Sequence, residues 1–262
     1  MFRSGSLIED YYKFNLFKSG AAKTNELDLS TTTWFYPMLL LLLGIFIKQN
    51  PDINVIPPRN PSVSNYFDII TKSDEADVNK SYIPIIKVPE NSRKLDTQKL
   101  NRYATYCGGT TTLQYLIGEL TTNIYEHSSF STAYIMGQKY YSRGFLEFCI
   151  VDNGVSIPKS YEIAGMTLEN DKIALDYVLK GISTKKEYKD GERGHGLRSS
   201  IDLTTGIGGT CLIISRNGGL SATPEKTNTF TLDGENIYEG TLISIDVPFQ
   251  ESEVNIYDHL PK

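Results

Sequence analysis

Three short segments in the middle of the chain combine residue types that could bind and activate a phosphate-bearing ligand. They read Glu119-Leu-Thr-Thr-Asn123-Ile-Tyr-Glu126-His127, Asp152-Asn-Gly154-Val-Ser-Ile-Pro158 and Gly191-Glu-Arg-Gly194-His-Gly196-Leu197. Glycine turns and helical Glu/Asn pairs are common when they occur singly. The order and spacing of the three segments therefore matter more than any one of them.

The first segment fits a helix with three polar side chains on one face. Glu119, Asn123 and His127 are spaced four residues apart, so an α-helix projects them into the same space. Mg²⁺ prefers oxygen ligands and takes few of them from protein when it is bound to phosphate, so Asn123 could hold the ion. Glu119 could orient or deprotonate a nucleophile. The alternative is an exposed polar stripe, with His127 stabilising the helix C-terminus.

The second segment places a carboxylate at the end of an apolar strand. Asp152 follows Phe145–Val151 and precedes Gly154, which permits a turn that a side chain would obstruct. A buried carboxylate there could accept a hydrogen bond from the exocyclic amine of adenine, which contributes about 1.5–3 kcal/mol. That bond would select adenine over guanine. The alternative is a turn aspartate that satisfies local backbone N–H groups.

The third segment is a glycine-rich turn that opens a helix. Glycine lets phosphate approach the backbone, and the helix start offers N–H donors with positive dipole character. Neighbouring basic residues could supply charge, although most such side chains are simply solvated: Lys185, Lys186, Arg193 and Arg198. Taken together, the three segments predict one nucleotide pocket.

The composition indicates a globular protein of an interior compartment. The chain has 262 residues, 40% of them hydrophobic, which is ample for a packed core. A net charge of -5 argues against a generally basic surface for nucleic acid. Cys107, Cys149 and Cys211 lack CxxC spacing, so neither a disulfide framework nor a zinc site is indicated. A reducing, cytoplasmic location is expected.

Residues 1–79 are predicted to form a small α/β unit with βαβ winding. The expected elements are a strand within Glu26–Phe35, a helix over Pro37–Lys48, a strand over Ile53–Ile56 and a helix over Pro61–Thr71. The apolar run Trp34–Ile47 is too short to span a membrane, which needs about 20 residues. No secretory signal pattern precedes it. Polar Lys72–Lys80 is the expected linker to a second unit, 80–262.

The second unit is predicted to alternate helices and strands around the three segments. The expected strands are Tyr82–Val88, at a sheet edge because of Pro84, then Phe145–Val151, Thr210–Ser215 and Thr241–Val247. The expected helices are Leu95–Tyr106, the one carrying Glu119, Asp171–Lys180 and Leu197–Leu203. The Gly-, Asn- and Thr-rich stretch Asn217–Glu239 indicates a long hairpin excursion.

These segments resemble the GHKL superfamily of ATP-binding domains, over about Ser81 to Gln250. Glu119, Asn123 and His127 are similar to the N-box in the form found in anti-sigma-factor serine kinases. Asp152 and Gly154 resemble the adenine-binding D-x-G motif. Gly194, Gly196 and Leu197 resemble the G-x-G-L turn after the ATP lid, and Gly240-Thr241 resembles a late Gly-Thr on a core strand. The further expected positions in the pocket are Ile157, Lys185, Arg193 and His195. It implies Glu119 as general base, Asn123 as Mg²⁺ ligand, and a lid within Ile157–Arg193.

The same resemblance implies an α+β fold, a two-layer sandwich with helices on one face of a mixed sheet. Ser156 stands where the family often has a second glycine. The chain's histidines are His127, His195 and His259, none of them before the ATP-binding unit, which disfavours histidine autophosphorylation in the usual arrangement.

Glu119 favours activation of a hydroxyl group, and three functions remain open. The first is transfer of the γ-phosphoryl group of ATP to a Ser or Thr of a partner protein. The second is an ATPase whose lid closure gates homodimer formation or partner binding, since the same carboxylate can activate water. The third is a nucleotide sensor without turnover.

The N-terminal unit offers a second, more distant resemblance. Leu27–Leu41 is similar to the strand-to-helix segment of STAS domains, the usual substrates and partners of anti-sigma-factor kinases in partner switching. Those substrates carry a phosphoacceptor Ser or Thr near the helix start, where this chain has Tyr36-Pro37-Met38. The resemblance therefore implies a docking or regulatory unit that is not itself phosphorylated.

Overall fold

A seven-stranded antiparallel sheet carries helices on both of its faces. The structure is a computed structural model, and it describes residues 5–72, 81–106, 111–184, 196–249 and 255–259. The helices are α1 (Leu7–Thr24), α2 (Pro37–Gln49), α3 (Pro61–Lys72), α4 (Thr97–Tyr106), α5 (Thr111–Asn123), α6 (Ile157–Ile163), α7 (Asp171–Leu179) and α8 (Gly196–Gly206). The strands are β1 (Glu26–Asp28), β2 (Asn54–Ile56), β3 (Tyr82–Val88), β4 (Ala133–Tyr140), β5 (Phe145–Asp152), β6 (Thr210–Arg216), β7 (Gly218–Ala222), β8 (Thr227–Thr231) and β9 (Tyr238–Pro248). The predicted α+β class is confirmed.

The large sheet has the order β3-β4-β5-β9-β6-β7-β8, and every neighbouring pair is antiparallel. The expectation of a mixed sheet is wrong. The chain between β5 and β6 forms a crossover, so these two strands run in the same direction and would pair in parallel if they were adjacent. The last strand, β9, lies between them and runs antiparallel to both. Strand β3 does lie at a sheet edge, as Pro84 predicts.

One face of this sheet packs against helices α4 to α8. The face of α5 predicted from its helical spacing is buried there: Leu113, Leu116, Ile117, Leu120 and Ile124. Strand β5 is buried along its whole length, which explains its nearly continuous apolar sequence. Asp152, at its end, lies on the same face as Leu146, Phe148 and Ile150, which belong to this core.

The opposite face is covered by α1, α2 and α3, so the molecule has three layers. Side chains of α2 pack with Met136, Cys149 and Leu212 from three different strands. Strands β1 and β2 pair in parallel and α2 connects them, which confirms the predicted βαβ winding. Helix α2 is buried on most sides because both the sheet and its own unit contact it, as its uniformly apolar sequence requires.

Two N-terminal elements differ from their predicted form. Strand β1 ends at Asp28, well short of Phe35, because the Asp28 carboxylate accepts a hydrogen bond from the Ser30 N–H at 2.8 Å and turns the chain. Helix α1 has no predicted counterpart. Its start is fixed by a capping box between Ser6 and Glu9.

No helix in the described parts of the chain combines the length and the apolarity that a membrane crossing requires. Most of the predicted linker lies outside the described residues, beyond Lys72.

Candidate functional site

A cavity of about 510 Å³ opens between α5, α6, α7, the start of α8 and the sheet. It brings together nine of the residues singled out from the sequence: Glu119, Asn123, His127, Asp152, Ile157, Gly196, Leu197, Arg198 and Thr241. Gly154 borders a neighbouring cleft instead. Lys185, Arg193, Gly194 and His195 lie outside the described residues. The cavity therefore contains part of each of the three sequence segments.

Asp152 is a buried carboxylate in the wall of this cavity. Its side chain is 4% exposed, and Oδ1 accepts a hydrogen bond from the Gly154 N–H at 2.8 Å. Burial raises the pKa of Asp152 to about 7, while hydrogen bonds from Gly154 and Ser128 act in the opposite direction. The carboxyl group is thus poised to change protonation near neutral pH.

Gly154 is required by a close backbone approach. A Cβ atom at this position would lie 2.1 Å from the carbonyl oxygen of Ser128. That same oxygen accepts a hydrogen bond from the N–H of Val155, so the turn after β5 is tied to the segment after α5. The glycine therefore brings Asp152 close to the end of the helix that carries Glu119 and Asn123.

Ser156 has a local structural role. It is the N-cap of α6, and its Oγ accepts a hydrogen bond from the Lys159 N–H at 3.2 Å. Serine thus begins a helix directly after the turn that holds Asp152 and Gly154.

Glu119 and Asn123 line the cavity from α5. Glu119 is half-buried, and burial raises its pKa, with a smaller contribution from the negative charge of Glu126. The Nδ2 atom of Asn123 is buried and has no hydrogen-bond acceptor among the described residues. Its Oδ1 lies close to the start of α8, 3.3 Å from the position of a Cβ at Gly196. The missing side chain of Gly196 therefore leaves room for the amide of Asn123.

The helix that carries the first segment widens into a π-helical turn over Ile124–Ser128. His127 reaches the cavity through this turn and not along one continuous α-helical face. The turn also brings Glu126 to the cavity, with Oε2 3.8 Å from Nε2 of His127. Glu126 lies seven residues after Glu119, a spacing that places both on one helix face, but the sequence assigns it no role in the pocket.

The opposite wall is formed by α6, α7 and the start of β9. The Tyr161 hydroxyl donates a hydrogen bond to the carbonyl of Ile182 at 2.5 Å, which connects α6 to the segment after α7. The Ser215 hydroxyl donates to the Gly240 carbonyl and accepts from the Ile157 N–H, each at 2.9 Å. These contacts fix α6 to the sheet and to the segment after α7, both within the range of the predicted lid.

The oxygen atoms that the cavity offers fit a metal ion only if a bound ligand and water supply most of its coordination. The described residues contain no group of three or more His, Cys, Asp or Glu side chains able to hold a metal ion. Mg²⁺ bound to phosphate and water needs only one or two protein oxygens, and Asn123 and Glu119 offer them in the same cavity.

Comparisons of the chain with protein-family models, with curated proteins and with solved structures find no match.

Proposed function

We propose that the cavity binds Mg-ATP and that the protein transfers the γ-phosphoryl group to a Ser or Thr of a partner protein. The observation that carries this proposal is the buried carboxylate of Asp152 in the same cavity as Glu119 and Asn123. A buried acceptor suits a base that carries an amine. The polar side chains of α5 suit phosphate and metal. The resemblance to GHKL domains supports the same assignment.

Asp152 would recognise adenine through its exocyclic amine. The amine donates a hydrogen bond, and an ionised carboxylate is its strongest acceptor. Guanine presents a carbonyl oxygen at the corresponding position and would repel the ionised carboxylate. Thr241 lies opposite Asp152 on β9 and lines the cavity beside it.

Asn123 would bind Mg²⁺, and the start of α8 would accept the phosphates. The ion neutralises phosphate charge and holds the phosphoryl group in position for transfer. Gly196 has φ of +42°, and its lack of a side chain leaves room for the amide of Asn123. The first N–H groups of α8 are donors without helical partners and suit an anion.

Glu119 would act as the general base. It would accept the proton of the attacking hydroxyl as the new P–O bond forms and the bond to ADP breaks. Burial and Glu126 raise its pKa, which makes it a stronger base than an exposed glutamate. The acceptor hydroxyl would belong to a cytoplasmic partner protein.

The decisive experiment incubates the purified protein with γ-labelled ATP and Mg²⁺, with and without lysate from its source. Label on a second protein supports the kinase, and its loss with Asp152→Asn connects the activity to the cavity. Asp52→Asn is the matched control, because Asp52 is exposed and remote from the cavity. Free phosphate alone would support the ATPase instead. Bound ATP with neither product would support the sensor.

A further inference from the structure

Arg198 is the one lysine or arginine that lines the described part of the cavity. The carboxylates in its lining are Glu119, Glu126 and Asp152. A polyphosphate entering such a surface meets more negative than positive charge, apart from its own Mg²⁺. The position of Arg198 therefore decides where the described wall can attract a phosphate group.

The side chain of Arg198 extends from the first turn of α8 towards the end of α7. A Cβ atom at Gly181 would lie 3.0 Å from Nη1 and 3.6 Å from Cδ of Arg198. Gly181 also has φ of +69°, which favours glycine. The missing side chain at Gly181 thus leaves the space in which the guanidinium group lies, beside the C-terminal end of α7, where a cation is favoured.

Arg198 has an exchangeable partner in its own helix. Its Nε lies 3.4 Å from Oδ2 of Asp202, one turn later, and both side chains are 38% exposed. Exposed pairs of this spacing are weak. A phosphate can replace the carboxylate, because its oxygens match the planar guanidinium group through two hydrogen bonds.

Depth in the cavity indicates which phosphate Arg198 would meet. Asp152, the proposed acceptor for the base, is buried, whereas Arg198 and Gly181 lie at the exposed rim. A nucleotide with its base at Asp152 extends its phosphates outward, so the last phosphate lies nearest the rim. We propose that Arg198 binds the terminal phosphate and makes the site select nucleoside triphosphates over diphosphates. This inference rests on the proposed function.

The test compares the affinities of the full chain for Mg-ATP and Mg-ADP by titration calorimetry. Arg198→Gln keeps much of the stem that packs at Gly181 and removes the charge. It should weaken Mg-ATP binding by about tenfold to a hundredfold, because a hydrogen bond to a charged group is lost. Mg-ADP affinity should change by less than about threefold, as expected where no direct contact is lost. Arg198→Lys should restore part of the preference.

Lys180→Ala is the matched control, because Lys180 is exposed at the end of α7 and does not line the cavity. An unchanged ratio of the two affinities in Arg198→Gln would overturn the inference and leave the proposed function standing. Wild-type protein that binds neither nucleotide would overturn both. Thermal unfolding of each variant checks that it is folded. Arg198→Met, which also removes the charge and keeps an unbranched stem, provides the same comparison if Arg198→Gln does not fold.

Discussion

The backbone N–H of Met38 donates a hydrogen bond to Oε1 of Glu147 at 3.0 Å, although the two residues are 109 positions apart. Both are fully buried. Pro37 occupies the start of α2 and Tyr36 provides no side-chain cap, so Glu147 on β5 satisfies an amide that the helix cannot. Because β5 ends at Asp152, one strand joins the N-terminal layer to the candidate site.

We expect Glu147→Ala to destabilise the whole protein. It removes a buried acceptor, leaves the Met38 amide without it and creates a cavity, which together should lower the free energy of unfolding by about 2–4 kcal/mol. Urea denaturation followed by circular dichroism measures this change. Glu239→Ala, at an exposed position of β9, is the control and should change stability by less than about 0.5 kcal/mol. Equal stability of both variants would show that Glu147 does not anchor α2.

The pKa of Asp152 predicts that recognition of the base depends on pH. An ionised carboxylate accepts the amine hydrogen bond, so affinity should fall below about pH 7, by up to about tenfold per pH unit. Adenosine is the appropriate ligand, since it carries no phosphate that titrates in this range. Measuring the dissociation constant of adenosine between about pH 5.5 and 8.5 tests this dependence, because these limits lie about 1.5 units either side of the pKa of Asp152. Affinity that rises on acidification would show that a protonated Asp152 donates to the base.

The same carboxyl group should lower stability at alkaline pH in the absence of ligand. Its folded pKa is raised above the unfolded value, so the folded protein binds the proton more tightly and loses stability as pH rises from about 4 to about 7. Asp152→Asn should therefore raise the free energy of unfolding at pH 8, by at most about 4 kcal/mol, where the wild-type group is ionised. At about pH 4 the variant and the wild type should have nearly the same free energy of unfolding from this cause, because Asp152 is then protonated in the folded protein. A variant that is less stable than wild type at pH 8 would contradict this expectation.

Elements with strong local signals could be predicted from the sequence. The apolar run after Pro37 predicts α2, and the continuous apolar run before Asp152 predicts β5; both are confirmed. Strand β4 has a weak signal because it contains Gly137, Gln138 and Lys139. Gln138 is buried there because its amide is satisfied: it accepts a hydrogen bond from Tyr66 on the distant helix α3 and donates to Ser81 and to the carbonyl of Lys139.

Long-range packing and one local distortion account for the remaining differences. The three-layer arrangement depends on contacts such as Met38–Glu147, which no local pattern contains. Helix α1 has little amphipathic periodicity, and its clearest signal is the spacing of Ser6 and Glu9. Glu126 lines the cavity from the π-helical turn, a distortion that the sequence does not predict, although its spacing of seven from Glu119 already places it on that helix face.

Gly154→Ala should damage both the fold and ligand binding. The added Cβ would meet the Ser128 carbonyl oxygen at 2.1 Å, so the turn that holds Asp152 must move. We expect a loss of about 1–3 kcal/mol in the free energy of unfolding, as for other overpacked sites. Gly118→Ala is the matched control, since nothing lies within 4 Å of its Cβ position and α5 should gain about 0.5–1 kcal/mol. A melting temperature that changes in the same direction in Gly154→Ala and Gly118→Ala would contradict this prediction.

Glu119→Gln should separate nucleotide binding from turnover. Glutamine keeps the shape and polarity of the half-buried side chain but cannot accept the proton of a hydroxyl nucleophile. Mg-ATP affinity should stay within about threefold of wild type, while phosphoryl transfer falls by about 10²–10⁴-fold. Glu169→Gln, exposed before α7, controls for the loss of one negative charge. Full turnover in Glu119→Gln would remove Glu119 from the role of base, and Glu126, which lines the same cavity, would be the next carboxylate to test.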